Sequence, residues 1–430
     1  MNYEETIYYL YNQTPVFQHS GASAYKPGLD NAIQLDSLLE NPHHSYPTIH
    51  VGGTNGKGSV SNLLASILQE SGFKVGLYTS PHLKDFRERI RVNGQMIPEA
   101  KVVEFVKRFI EFDSNIQPSF FELTSEMAFD WFKQEAVDIA IIEVGLGGRL
   151  DSTNILSPIA TVITNISFDH VDLLGHTLEA IAFEKAGIMK KGVPTVIGKA
   201  DEKEVEKVFT DRSKAVGCSL VFAKDCYITS MSVNAKNETY IVCEKGMHMY
   251  NDIMCALSGS YQQENVATVL TTIDVLRNLK WDIVDGSVYS GFKNVLINTG
   301  LRGRWEKIGQ HPDIICDTGH NVAGIRYVVE QIRQLPHKQL HFVIGMVGDK
   351  DIQGVLKLLP KDARYYFTKA SIPRAMPEME LRQSGKKYDL IGLSYSTVSE
   401  AIEAAKKNSA PEDLIFIGGS TFVVAEALNV

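Results

Sequence analysis

His50-Val51-Gly52-Gly53-Thr54-Asn55-Gly56-Lys57-Gly58-Ser59 (residues 50–59) joins a short apolar run, Pro47 to Gly52, to a helical pattern from Ser59 to Glu70. A phosphate chain is held where backbone N–H groups point inward, a lysine charge meets the terminal phosphates, a hydroxyl ligates Mg²⁺ and a helix N-terminus stands behind them. All four parts occur here, so Gly53, Thr54, Asn55, Gly56, Lys57, Gly58 and Ser59 are candidate nucleotide-binding residues. The usual spacing is G-x-x-x-x-G-K-[ST]; in this chain Gly58 separates Lys57 from Ser59. A turn that only caps its helix is the plainer reading, and the strand before it and the helix after it argue against that.

Outward from this unit, short apolar runs keep alternating with longer helical patterns, as in a mostly parallel, helix-covered sheet. Further strands are expected at Lys74 to Thr79, Asp138 to Val144, Ile159 to Asn165 and Pro194 to Ile197, all rich in Val, Ile and Ala. Between Cys218 and Tyr250 the pattern is β-rich with polar punctuation, which reads as antiparallel hairpins. A helix follows from about Tyr261 to Leu279, and turn residues interrupt the pattern over Val295 to Gly303. Strands then recur near 313–316, 340–345, 364–368 and 413–417. The expected fold class is α/β. A P-loop ATPase-like domain over 1–296 carries a mostly parallel sheet and a small antiparallel appendage, a linker spans 297–302, and a smaller C-terminal α/β domain occupies 303–430.

A chain of 430 residues exceeds what one hydrophobic core sustains, and 44% apolar with 22% charged residues excludes disorder. The net charge of −8 argues against nucleic acid or anionic membrane as partners, so a polyanionic ligand must be caught in a local pocket. Five cysteines at 218, 226, 243, 255 and 316 form no C-x-x-C pair, which points to a reducing cytoplasm rather than a disulfide framework or zinc knuckle. Met1 to Phe17 carries Glu4 and Glu5 and no long apolar run, so neither a signal peptide nor a membrane span is expected.

A nucleotide-bound Mg²⁺ takes hard oxygen ligands, commonly one or two carboxylates. Glu143 ends the apolar strand in "DIAIIEVGLGGRLD", where a parallel sheet presents functional residues at its carboxyl edge. His170, in "TNISFDHVD", follows the next strand in the same way. A lone loop histidine is more often a surface or capping residue; a place on the same sheet edge as a phosphate loop favours a metal role. The run Asn165 to Asp169 lacks the lysine and spacing of the guanine-reading N-K-x-D, so one mark of a GTP switch is missing.

Taken with these residues, "KPGLDN" (26–31), "YTSPHLKDFRERIRVNG" (78–94), "EVGLGGRLDSTNI" (143–155), "ITNISFDHVDLLGHTLEAIAFEKAGI" (163–188), "RGRWE" (302–306) and "GGSTFVVAEAL" (418–428) resemble the folylpolyglutamate synthases and bifunctional dihydrofolate synthases, relatives of the Mur ligases. The resemblance implies ATP-dependent joining of L-glutamate to dihydropteroate or reduced folates, with ATP and Mg²⁺ bound. It implies Lys57 on the β/γ-phosphates, Ser59, Glu143 and His170 on metal, and Asn265 near the adenine. From the second domain it implies Arg304, Asp317 and His320 on the nucleotide. The family's usual D-G-A-H-N reads Asp317-Thr318-Gly319-His320-Asn321 here. Lys185 in "FEKAG" matches a lysine carbamylated in some relatives.

The chemistry agrees. A carboxylate is a poor acyl donor and must first be phosphorylated, with charge neutralised by Lys57, Mg²⁺ and an arginine before the glutamate amine attacks. A pterin wants an aromatic wall and an acceptor carboxylate, and the candidates are Gly28 and Leu29, Ser80 and Phe86, and Asp151, although Asp151 also reads as a capping residue before "STN". A Mur-type cell-wall ligase is the nearest rival, but only about fifty residues precede Lys57, less than a usual domain. A nucleotide-switch or binding module leaves the second α/β domain unexplained. A monomer is expected.

Overall fold

The strand that ends at the glycine-rich turn, β1 (Thr48–Gly52), lies inside an eight-stranded sheet and is buried along its whole length. Its companions in chain order are β2 (Val75–Tyr78), β3 (Ile90–Val92), β4 (Gln95–Met96), β5 (Ile139–Glu143), β6 (Ala160–Asn165), β7 (Thr195–Lys199) and β8 (Leu220–Phe222), arranged β4-β3-β2-β5-β1-β6-β7-β8. Pairings from β2 through β8 are parallel, and β3 and β4 add an antiparallel hairpin at one edge. The computed structural model describes residues 1–14, 28–112, 115–234, 238–246, 248–348 and 350–429, so Lys26 and Pro27 of "KPGLDN" lie outside it.

Two units result, Met1–Leu257 with Gln262–Leu301, and Ser258–Tyr261 with Arg302–Val430. In the first, side chains alternate across the pleat and both faces of the sheet are covered. Ile49, Val51, Leu77 and Ile141 pack with Leu63, Leu64 and Ile67 of helix Lys57–Glu70 and with Val266, Leu270 and Phe292 of helices Gln262–Asn278 and Asp285–Thr299. Tyr78 and Ile142 face the other way, onto Leu123, Met127 and Phe132 of helix Phe120–Gln134.

The expected antiparallel appendage is present as β9 (Ile228–Val233), β10 (Thr239–Lys245) and β11 (His248–Cys255). It is fastened to helix Gln262–Asn278, where Asp274 accepts from Tyr227 Oη at 2.8 Å and Lys245 Nζ at 2.6 Å. Leu220–Phe222, read from sequence as part of the appendage, instead pairs in parallel with β7 and ends the main sheet. Ile297 to Thr299, expected as linker, form the last turn of helix Asp285–Thr299.

The second unit holds β12 (Glu306–Gly309), β13 (Asp313–Cys316), β14 (Leu340–Ile344), β15 (Arg364–Phe367), β16 (Gly392–Ser394) and β17 (Leu414–Gly418) in the order β12-β13-β17-β14-β15-β16. Phe342, Tyr365 and Phe416 face helix Val322–Gln334, while Val343, Tyr366 and Ile415 face helices Val398–Asn408 and Thr421–Ala427.

Gly291 lets helix Asp285–Thr299 lie close against helix Lys57–Glu70. Its carbonyl accepts from Ser66 Oγ at 2.7 Å, and a Cβ there would lie 2.5 Å from Ile67 Cγ1 and 2.6 Å from Ile67 Cα. Gly291→Ala is expected to destabilise this unit by about 1–3 kcal/mol, read as a lower urea midpoint at unchanged m. Gly286→Ala, one to two turns earlier and facing open space, is the control and should hold or raise the midpoint.

Candidate active site

At the carboxyl end of β1 the chain turns into helix Lys57–Glu70 with Gly56 as its N-cap. Two glycines are required by contact. Gly53, at φ 136°, passes so close to β6 that a Cβ would sit 1.9 Å from Thr164 Oγ1. Gly56, at φ 82°, would place one 2.4 Å from Asn265 Oδ1. Helix geometry leaves the N–H groups of Gly56 to Ser59 without an acceptor inside the helix, which suits an anion. Lys57 Nζ folds back over the loop, donating to the carbonyls of Gly53 and Thr54 at 3.1 Å each. The hydroxyl of Ser59 is buried and has no hydrogen-bond partner among the described residues, the state expected of a group kept for a metal.

Thr54 and Asn55 behave differently from the expectation that they bind nucleotide through the loop backbone. Thr54 N–H donates to Asn165 O and Asn55 N–H to Asn165 Oδ1, each at 2.9 Å. Both amides are therefore spent on the end of β6, and sequence reading missed Asn165 as their partner. A polar side chain closing an apolar strand at the sheet's carboxyl edge was the available signal.

Three neighbouring strands deliver the rest. Glu143 ends β5 in register with Val51, is 3% exposed, and accepts from Ser80 N–H at 3.1 Å just beyond β2. His170 follows β6 in a left-handed conformation, φ 50°, with its N–H donating to Asp169 Oδ1 at 2.9 Å. Thr177 caps helix Leu178–Ala186, accepting from Ala180 N–H, and the helix carries Lys185 inward. Lys185 is 4% exposed and its Nζ donates to the same Gly53 carbonyl at 2.8 Å. Burial first, then the Lys57 charge, pull its ammonium down to about 7, against the opposing influence of Asp169 and Asp151.

Asp151 is the N-cap of the 3₁₀ turn Ser152–Ile155. Its carboxylate accepts from Leu146 N–H at 2.8 Å and Thr153 N–H at 3.1 Å, and burial raises its pKa. Phe86 lies 4% exposed in the core, edge-on to Phe120 at 5.9 Å. Gly28, at φ 131°, precedes Leu29, the N-cap of helix Asp30–Leu38. Asn265 is buried beneath Gly56 and donates to Gln262 Oε1 at 2.8 Å.

In the second unit Asp317 directly follows β13 and ties "RGRWE" to it. Its carboxylate accepts from Trp305 N–H, Tyr261 Oη and Gly319 N–H, each at 2.7 Å. Arg304 stands immediately before Trp305, and His320 Nδ1 lies 3.0 Å from Thr318 O. Among the described residues no three His, Cys, Asp or Glu side chains cluster tightly enough to hold a metal by themselves, and no helix is long and apolar enough to cross a membrane. A hydroxyl and a carboxylate beside an anion cradle nevertheless suit Mg²⁺, which keeps waters and borrows phosphate oxygens.

Residues 51–273 match the Mur ligase middle domain and residues 303–421 the Mur ligase, glutamate ligase domain. Among similar proteins, the folylpolyglutamate synthase of Lacticaseibacillus casei is 33% identical over 99% of this chain and 97% of its own length. The dihydrofolate synthase/folylpolyglutamate synthase of Bacillus subtilis is 33% identical over 93% and 94%. Escherichia coli FolC in complex with DHPP and ADP superposes with a TM-score of 0.88 at 29% identity, covering 100% of this chain and 97% of that one. A bifunctional folylpolyglutamate synthase/dihydrofolate synthase with Mn, AMPPNP and L-glutamate bound gives 0.85 at 28%, covering 100% and 98%. With the phosphate loop, its buried hydroxyl and both domains accounted for, the chain belongs to the folylpolyglutamate synthase/dihydrofolate synthase branch of the Mur ligases, a family of ATP-dependent ligases.

Proposed function

We propose that this protein joins L-glutamate both to dihydropteroate and to the γ-carboxylate of reduced folates, in the cytoplasm. The observation that carries the reading is the orphan Ser59 hydroxyl at a glycine cradle, in a chain whose second unit matches a glutamate ligase domain. The ligands named for E. coli FolC and for the bifunctional enzyme, DHPP, ADP and L-glutamate, support it. Magnesium-bound ATP, when present, supplies the phosphoryl group that turns a carboxylate into an acyl phosphate. Lys57 then neutralises the β/γ-phosphates, and Ser59, Glu143 and His170 hold the metal. Arg304, Asp317 and His320 of the second unit and Asn265 of the first are assigned to the nucleotide. Both substrates present a carboxylate to the same amine, so one ATP site and one glutamate site serve both; Gly28, Leu29, Ser80, Phe86 and Asp151 are assigned to the pterin end.

The test is ADP release that requires both glutamate and a pteroate compound. Lys57→Ala and Glu143→Gln are each expected to lower kcat on the order of 10²–10³-fold or more with the fold intact. In Glu143→Gln the new side chain retains an oxygen for the Ser80 amide, and an unchanged urea midpoint is the control for folding. Near wild-type turnover by either variant at saturating ATP and Mg²⁺ removes that residue from the site.

Lys185 is proposed to carry CO₂: its neutral Nζ bonds to the carbon and releases a proton, leaving a carbamate oxygen for the metal. Because burial lowers the amine to about 7, the neutral form dominates above that pH, and carbamate occupancy should rise through it. Protein equilibrated with ¹³C-bicarbonate should give a carbamate resonance that Lys185→Ala abolishes, with the variant's activity restored by a short carboxylate. Identical spectra for the two proteins refute the carbamate. The unfolded amine titrates near 10.5. Between about 7 and that value the unmodified fold holds fewer protons, so its stability gains with rising pH, a slope that Lys185→Met should flatten.

Asp151→Ala is expected to cost about 1 kcal/mol through the lost cap. If the carboxylate also meets the pterin, use of dihydropteroate should fall several-fold more than use of a preformed reduced folate. Equal losses for the two substrates confine Asp151 to capping.

A further inference from the structure

The phosphate loop is tied down on one side by the turn that follows β6. Besides the two amides spent on Asn165, the Thr54 hydroxyl donates to Ser167 O and accepts from Ser167 N–H, both at 3.1 Å. The carbonyl of Asn55 accepts from Thr164 Oγ1 at 2.5 Å. Three residues on, the same turn carries His170, with Asp169 beside it.

We propose that Thr54 and Asn165 are positioning residues that clasp the phosphate loop to the His170 turn, so that the phosphate cradle and the metal-side residues are held in one register and nucleotide and Mg²⁺ bind as a coupled pair. The proposal rests on the assignment of phosphates and metal given above. Thr54 is suited to this task because one hydroxyl satisfies both the donor and the acceptor of a single residue's backbone. Asn165 is suited because its carbonyl and its side-chain oxygen take two consecutive amides, which fixes how the loop leaves β1. With those amides turned toward β6, the donors left for a phosphate include the first turn of helix Lys57–Glu70 and the Lys57 ammonium. Their aim then depends on the clasp, since a loop free to shift on the order of 1 Å loses much of the benefit of preorganised donors.

The experiment compares Thr54→Val, which keeps the shape and loses both hydroxyl bonds, with Thr54→Ser, which keeps both bonds, and with Asn165→Ala. Calorimetry of ADP binding with and without Mg²⁺, hydrogen exchange over residues 52–60 in the unliganded protein, and KM for ATP and for glutamate are the readouts. Thr54→Val and Asn165→Ala should weaken ADP binding in Mg²⁺ about tenfold, raise the Mg²⁺ half-saturation and KM for ATP by a similar factor, and speed exchange of the loop amides. The glutamate KM should stay within about twofold, and Thr54→Ser should recover most of the loss. A merely structural role lowers the thermal midpoint and the active fraction while leaving ADP affinity, Mg²⁺ half-saturation and KM for ATP where they were; that result overturns the proposal. If Asn165→Ala does not fold, the isosteric Thr54→Val decides alone. Lys57→Ala separates the two readings. If it binds Mg²⁺–ADP weakly while Thr54→Val binds like wild type, only the clasp fails; if it binds like wild type, the phosphate assignment fails and the clasp with it.

Discussion

Gly53 lies against β6 with no room for a Cβ, and the arrangement of the site follows from that approach. Its φ of 136° and the Thr164 hydroxyl below it leave glycine as the side chain that fits. So placed, its carbonyl takes two lysines at once, Lys57 at 3.1 Å and Lys185 at 2.8 Å. Two ammonium groups on one carbonyl repel, and in a buried site water does little to screen them. Burial first, and the Lys57 charge second, lower Lys185 to about 7, so that one of the two is readily neutral. A lysine in that state is a nucleophile rather than a counter-ion, whereas Lys57 stands at the first position of its helix.

The same economy governs the carboxylates around it. Glu143 and Asp151 are both almost fully buried, and each has backbone N–H groups to accept from, Ser80 for the first, Leu146 and Thr153 for the second. Such groups are tolerable in an interior because they are hydrogen-bonded. Ser59 differs from them: among the described residues its buried hydroxyl is one of several side-chain groups without a hydrogen-bond partner, and it stands in the first turn of the helix that follows the glycine-rich loop. Asp317 plays a related part in the second unit: its carboxylate accepts from the amides of Trp305 and Gly319, whereas Asn165 takes two consecutive amides of one loop, Thr54 on its backbone carbonyl and Asn55 on its side chain.

Much of this was legible in the chain. Strands buried on both faces leave continuous runs of Val, Ile and Ala, and β1, β2, β5, β6 and β7 follow from those runs within a residue or two. The phosphate loop was legible because glycine, lysine and serine there have few other reasons to occur together between a strand and a helix. The β3–β4 hairpin was not legible in the same way, although Asn93-Gly94, both at positive φ, is the dipeptide such a turn requires. Its strands are three and two residues long, too short for alternation to register.

The sequence by itself determined the order of the parallel units, the identity of the phosphate loop and the family, because these depend on local periodicity and on residue types at fixed spacing. Only the tertiary structure decided that Leu220–Phe222 ends the main sheet and that Ser258–Tyr261 belongs to the second unit, through Tyr261 on Asp317 and Ser260 on Gln331. It alone decided that the amides of Thr54 and Asn55 turn to Asn165, and that Lys185 is buried beside Lys57. The reason is common to all of them: each rests on partners dozens to more than a hundred residues away, and hydrogen bonding and desolvation at such range are set by what the fold brings near, which no local pattern records.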